Sequence, residues 1–164
     1  MDRRNLIFSG AALAAPALLG LGSGAIAQTA IDSQKLQILA GGDFATMTSK
    51  LALRRSSSSA VTSFAKLEIE EQAAVAEAFS SRPGAAGLTA KQATLLQQLE
   101  AAPDGEFDAM YVKGQIMGHN ELLTLHQRYA RRGSDPAALG ASIVAVPSIR
   151  THLALLKGIR STAA

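Results

Sequence analysis

Stepped at 100° per residue, the apolar positions of residues 28–164 fall into stripes of helical period, and neither a β-branched run nor a hairpin turn interrupts them. The pattern predicts an all-α chain with four long helices and one short one. Helix one covers about residues 32–55, with a bend at Gly41 and Gly42, and the serine run 56–59 ends it. Helix two covers about 60–80, followed by the loop SRPGAAG at 81–87. A short connecting helix at 89–100 closes at APDG, residues 102–105, and helix three covers about 106–132, stopping at Gly133. Ser134 or Asp135 caps the last long helix, which has Pro136 in its first turn, a kink at Pro147 and an end near Arg160. Short links make helices one and two, and three and four, antiparallel pairs. The roughly 25-residue link between two and three is long enough to cross the length of the molecule. The expected architecture is a four-helix bundle of ferritin-like connectivity, with an up-down-up-down bundle as the alternative.

The stripes are not purely apolar. On helix two, Val61, Phe64, Ala65, Val75 and Phe79 share a face with Glu68 and Gln72, while Lys66, Glu70 and Glu77 point away and Glu71 sits on the boundary. On helix three, Tyr111, Leu122 and Tyr129 share a face with Gln115, His119 and His126. On the last helix, His152 lies beside Ala145, Ile149 and Leu156. A buried carboxylate requires partners, because an unpaired charge in an apolar interior is costly. If helices two and three run parallel and the last returns, a rise of about 1.5 Å per residue puts Glu68, Gln115 and His152 at one level. Gln72 and His119 then lie about one turn deeper, and His126 roughly another 10 Å on.

Two readings of this cluster follow. One is a hydrogen-bonded network of Glu68, Gln72, Gln115, His119 and His152 that sets helix register and holds no cofactor. The other is one transition-metal ion held by Glu68, His119 and His152, with Gln72 and Gln115 as supporting polar groups. A di-iron centre takes a Glu from each of two helices and a Glu-x-x-His from each of the other two. Here helix one presents Phe44, Met47, Thr48 and Leu51 with no inward carboxylate, and Ile149 stands three residues before His152. No serine lies in a nucleophile-elbow context, and the GGD at 41–43 is too short for a phosphate loop, so no catalytic residue is assigned.

The first 27 residues change the picture. Arg3 and Arg4 precede an apolar run from Leu6 to Leu21, which closes at Ala25-Ile26-Ala27, the order of a cleavable signal peptide. The run contains Pro16 and is shorter than the roughly 20 residues of a membrane span. The paired arginines followed by Asn5, Leu6 and Ile7 resemble a twin-arginine signal, although Asp2 stands where Ser or Thr is usual. Residues 28–164 are then one exported, periplasmic domain without stable membrane insertion. The absence of cysteine excludes disulfides, thiol catalysis and thiolate metal sites. Beyond the signal, 14 basic residues face 12 acidic ones. No basic stripe is interleaved with aromatics, which argues against a nucleic-acid partner.

Three blocks carry a family resemblance: FAKLEIEEQ at 64–72, FDAMYVKGQIMGHNELLTLHQRYARRGSDP at 107–136 and VPSIRTHLALL at 146–156. In this order after a signal peptide, they resemble the bacterial domain of unknown function 4142. The resemblance covers about residues 36–159 and rests on Phe107-Asp108, Tyr111, His119, Pro147 and His152 in the family's spacing. It departs at Glu71-Gln72, where many members carry Asp-His. It implies a ferritin-like helical fold and an exported or outer-membrane-associated protein, and no settled activity. The expectation is a binding or envelope-stress protein rather than an enzyme.

Overall fold

The computed structural model describes the backbone of residues 22–162 and the side chains of residues 33–160. Among the described residues the chain is all-helical, without strands: α1 Gly22–Arg55, α2 Ser59–Ala78, α3 Ala90–Glu100, α4 Asp104–Arg132 and α5 Pro136–Thr162. Residues 1–21 of the expected signal peptide lie outside the described residues. The first helix begins at Gly22 rather than Asp32. The run AIAQTAI at 25–31 holds neither proline nor glycine and is compatible with helix.

Capping chemistry sets the other boundaries. Ser58 Oγ accepts from the Val61 N–H at 3.4 Å and starts α2. Thr89 and Gln92 form a reciprocal capping box on α3. Of the two candidate caps of α5, Asp135 serves, accepting from the N–H groups of Ala137 and Ala138 at 3.0 and 3.3 Å. The Ala138 N–H is the main cause that holds the Asp135 carboxyl below its ordinary range. α5 runs through Pro147 as one helix.

The direction of each helix follows from its partners. Gln34 donates to the Leu125 carbonyl, Gln115 to Thr48, and Arg55 to Asp104, so α1 and α4 are antiparallel. Glu68 meets His152, and Glu71 accepts from Ser148, so α2 and α5 are antiparallel as well. Glu68 lies against His119, and Phe79 against Tyr129, so α2 and α4 run in the same direction. The link at 79–103 therefore spans the length of the molecule, carrying α3 across α1 and α4.

α1 is continuous through Gly41 and Gly42. They permit close approach. A Cβ at Gly41 would stand 2.7 Å from Leu122 Cδ2 on α4, and one at Gly42 would stand 2.5 Å from Gln72 Oε1 on α2. Losing helix propensity at two positions, roughly 1 kcal/mol each relative to alanine, is the cost of bringing three helices together there.

Apolar clusters occupy both ends of the packed helices. One gathers Phe44, Leu51, Val61, Phe64, Phe107, Tyr111 and Leu156, and the other Ile38, Val75, Phe79, Tyr129 and Ala138. Full burial of each such large side chain contributes about 1.5–3 kcal/mol. Arg55 locks the first end: Nη1 donates to the carbonyls of Leu99 and Glu100 and Nη2 to that of Ala102, at the C-terminus of α3. Its guanidinium also pairs with Asp104 at 2.6 Å and lies 4.6 Å from the Phe107 ring centroid. A cation at a helix C-terminus complements the macrodipole.

One expectation is corrected. Helix one does carry an inward carboxylate: Asp43 is buried and accepts from the N–H groups of Gly84, Ala86 and Gly87 at 2.6, 3.0 and 2.8 Å. It anchors the 81–87 loop and takes no part in the central cluster. An 18-residue window of α5, within Pro136–Arg160, has a mean hydropathy of 1.4, so the helix is long and apolar enough to cross a membrane by length and composition. Its alanines and glycines are weak individually, but no charge interrupts them before Arg150.

Candidate metal centre

Between the apolar ends, α2, α4 and α5 bring Glu68, His119 and His152 together. Glu68 and His119 are fully buried and His152 nearly so. Glu68 Oε2 lies 3.1 Å from His119 Nε2 and 3.2 Å from His152 Nδ1, and the two nitrogens are 3.3 Å apart. These three atoms form a nearly equilateral triangle. Ligands bound at about 2.0–2.1 Å are separated by about 2.8–3.0 Å along the edge of an octahedron and about 3.3–3.4 Å along that of a tetrahedron. The triangle has the dimensions of one face of such a polyhedron.

A second layer orients each corner. His119 Nδ1–H donates to the Gln115 carbonyl at 2.8 Å, and because a carbonyl only accepts, that nitrogen carries a proton. His152 Nε2 faces Glu71 Oε2 at 3.3 Å, and both Glu71 oxygens accept from Ser148 Oγ at 2.9 Å. Gln72 Nε2 donates to Glu68 Oε1 at 2.9 Å. A neutral imidazole protonated on its outer nitrogen would turn a lone pair inward, toward a carboxylate oxygen that also only accepts. The arrangement calls for a cation at its centre, either protons or a metal.

Burial by itself would raise the Glu68 carboxyl, but hydrogen bonds and charge from His119 and His152 outweigh it and hold the group at about 2. The Glu68 hydrogen bond raises His152 against its own burial, helped by the charges of Glu68 and Glu71. Phe64 walls one side, its ring centroid 5.8 Å from that of His119 and 5.4 Å from that of His152.

Gln115 does not share the level of Glu68 and His152. His119 does, and Gln115 sits one turn away, its Nε2 donating to Thr48 Oγ1 at 2.9 Å while its carbonyl holds His119. Straight-helix arithmetic misplaced the pair because it ignores the stagger between α2 and α4. Beyond Gln115 the polar layer continues through Ser49 to the Tyr111 hydroxyl, 2.9 Å apart, and burial and the charge of Glu68 raise the Tyr111 phenol. His126 stands apart, with Nδ1 3.1 Å from Ser142 Oγ and its ring edge-on to Phe79.

Sequence reasoning left Glu71 at the boundary and did not name Ser148. The signals were there: Glu71 is three residues after Glu68, and Ser148 four before His152, so each shares a helix face with a ligand candidate.

Comparison with curated proteins and with solved structures finds no match. A family model described as "Domain of unknown function (DUF4142)" matches residues 22–159, which takes in α1 to α4, most of α5 and every residue of the cluster. The chain belongs to the domain of unknown function 4142 family.

Proposed function

We propose that the chain binds one divalent first-row transition-metal ion through Glu68 Oε2, His119 Nε2 and His152 Nδ1, and that it serves as a binding protein rather than an enzyme. The observation that carries this reading is the buried triangle of one carboxylate oxygen and two imidazole nitrogens, with sides of 3.1–3.3 Å and outer nitrogens that face the Gln115 carbonyl and Glu71. Two imidazoles and one carboxylate suit Fe(II), Mn(II), Co(II) or Zn(II). Cavities of about 540 and 270 Å³ lie along α1, α3 and α4 and are lined by none of the three ligands, which favours holding an ion over turning over an organic substrate.

The same reading takes the four long helices as a four-helix bundle of ferritin-like connectivity. Its support is the antiparallel pairing of α1 with α2 and of α4 with α5 across a long crossover. The order of charge, apolar run and small residues in Met1–Ala27 supports export to the periplasm, by the twin-arginine route or the general one, with outer-membrane association as the family resemblance implies. α5 carries Ser142 and His152 on its packed face, which favours a mature chain that does not insert in the membrane.

A purely structural network is the second reading. Among the described residues every buried side-chain polar atom except Asp108 Oδ1 has a partner without any metal. Metal analysis of protein purified from the periplasm separates the two. A metal centre predicts close to one ion per chain, lost in Glu68→Ala and in His119→Ala with helicity largely retained. Metal-free wild type, with variants that lose stability alone, would leave only the network.

A further inference from the structure

We infer that Glu71 and the outer nitrogen of His152 form a staging site through which a divalent cation reaches the centre from solvent, along the seam between α2 and α5. The inference rests on the reading of Glu68, His119 and His152 as ligands.

Glu68 and His119 have no exposed surface, so an ion must pass another group to reach them. The His152 ring separates two carboxylates, with Nδ1 3.2 Å from Glu68 Oε2 and Nε2 3.3 Å from Glu71 Oε2. The Glu71 side chain keeps 28% of its surface in water. Glu71 thus offers solvent an anionic oxygen and His152 a nitrogen at the separation of two ligands on one ion. Ser148, donating to both Glu71 oxygens at 2.9 Å, holds the carboxylate on the seam. Leu67 and Val144, one turn from Glu71 and Ser148, are themselves exposed, so this stretch of the seam faces solvent.

The opposite side offers no such path. There the centre is closed by Gln115, Thr48, Ser49 and Tyr111, which are neutral and bonded to one another, and Gln72 covers the second oxygen of Glu68. None of these attracts a cation from water as a half-exposed carboxylate does.

The test is stopped-flow uptake of Co2+ by the full-length, metal-free protein, followed by its d–d absorption, in wild type, Glu71→Gln and Glu70→Gln. Glu70 is exposed on the outer face of α2, so its variant removes the same charge one residue away. The expected result is a second-order rate lowered about tenfold or more in Glu71→Gln and unchanged in Glu70→Gln, with one Co2+ per chain at the end point in wild type and Glu70→Gln. Uptake by Glu71→Gln at the wild-type rate, with only release to a chelator accelerated, would make Glu71 a positioning residue and overturn the inference. Equal slowing in Glu70→Gln would overturn it in favour of general charge. Wild type that takes up no Co2+ would instead sink the metal centre itself.

Discussion

Lowering the pH from 7 to 5 should destabilise this protein through His126, a residue outside the candidate centre. Its imidazole is 1% exposed, faces Ser142 and the edge of Phe79, and has no carboxylate partner among the described residues. Burial therefore pushes its pKa down to about 4. In the unfolded chain the value is the ordinary one, about 6.5. Between these limits the unfolded state binds more protons, so the contribution to stability is complete above about pH 6.5 and is lost as pH falls toward about 4. The full swing is about 3 kcal/mol, of which about 2 kcal/mol falls between pH 7 and pH 5. Urea denaturation of metal-free wild type, His126→Asn and His126→Phe at both pH values measures it. The variants lose stability at pH 7, but their pH 7 to pH 5 difference should be smaller than that of wild type by about 2 kcal/mol. The titrations of Glu68 and His152 are common to all three proteins and cancel in that comparison. A pH difference identical in wild type and both variants would refute the account of a neutral buried His126.

Gly42→Ala and Gly140→Ala make the same chemical change in two helices and should have opposite effects. A Cβ at Gly140 meets nothing within 4 Å, so alanine should add about 1 kcal/mol of helix propensity. At Gly42 it would displace the Gln72 amide that is bonded to Glu68, so the same assay should show a net loss of about 1–2 kcal/mol. Equal stabilisation in both would contradict the close approach of α1 to α2. Arg55→Met keeps much of the apolar stem over Phe107 but removes the donors to three carbonyls at the end of α3, and should cost about 1–3 kcal/mol. Hydrogen exchange should show the loss concentrated in α3 and the start of α4.

Much of this architecture is local and therefore readable along the chain. The helical period, the serine stop at 56–58, the capping box at Thr89 and the Asp135 cap each depend on residues within a turn of one another. The inward faces were also legible, because 3.6 residues per turn puts Glu68, Gln72, Gln115, His119 and His152 on the apolar sides of their own helices. What one helix cannot reveal is its stagger against another. Helix offset is set by how ridges and glycines interlock, here at Gly41 against Leu122 and Gly42 against Gln72. That offset placed His119, not Gln115, beside Glu68 and His152. It turned Glu71 from a boundary residue into the partner of His152, and it sent Asp43 to a loop more than forty residues away. Periodicity within each helix determined which groups are buried; only the packing of helices on one another decided which of them converge on one point.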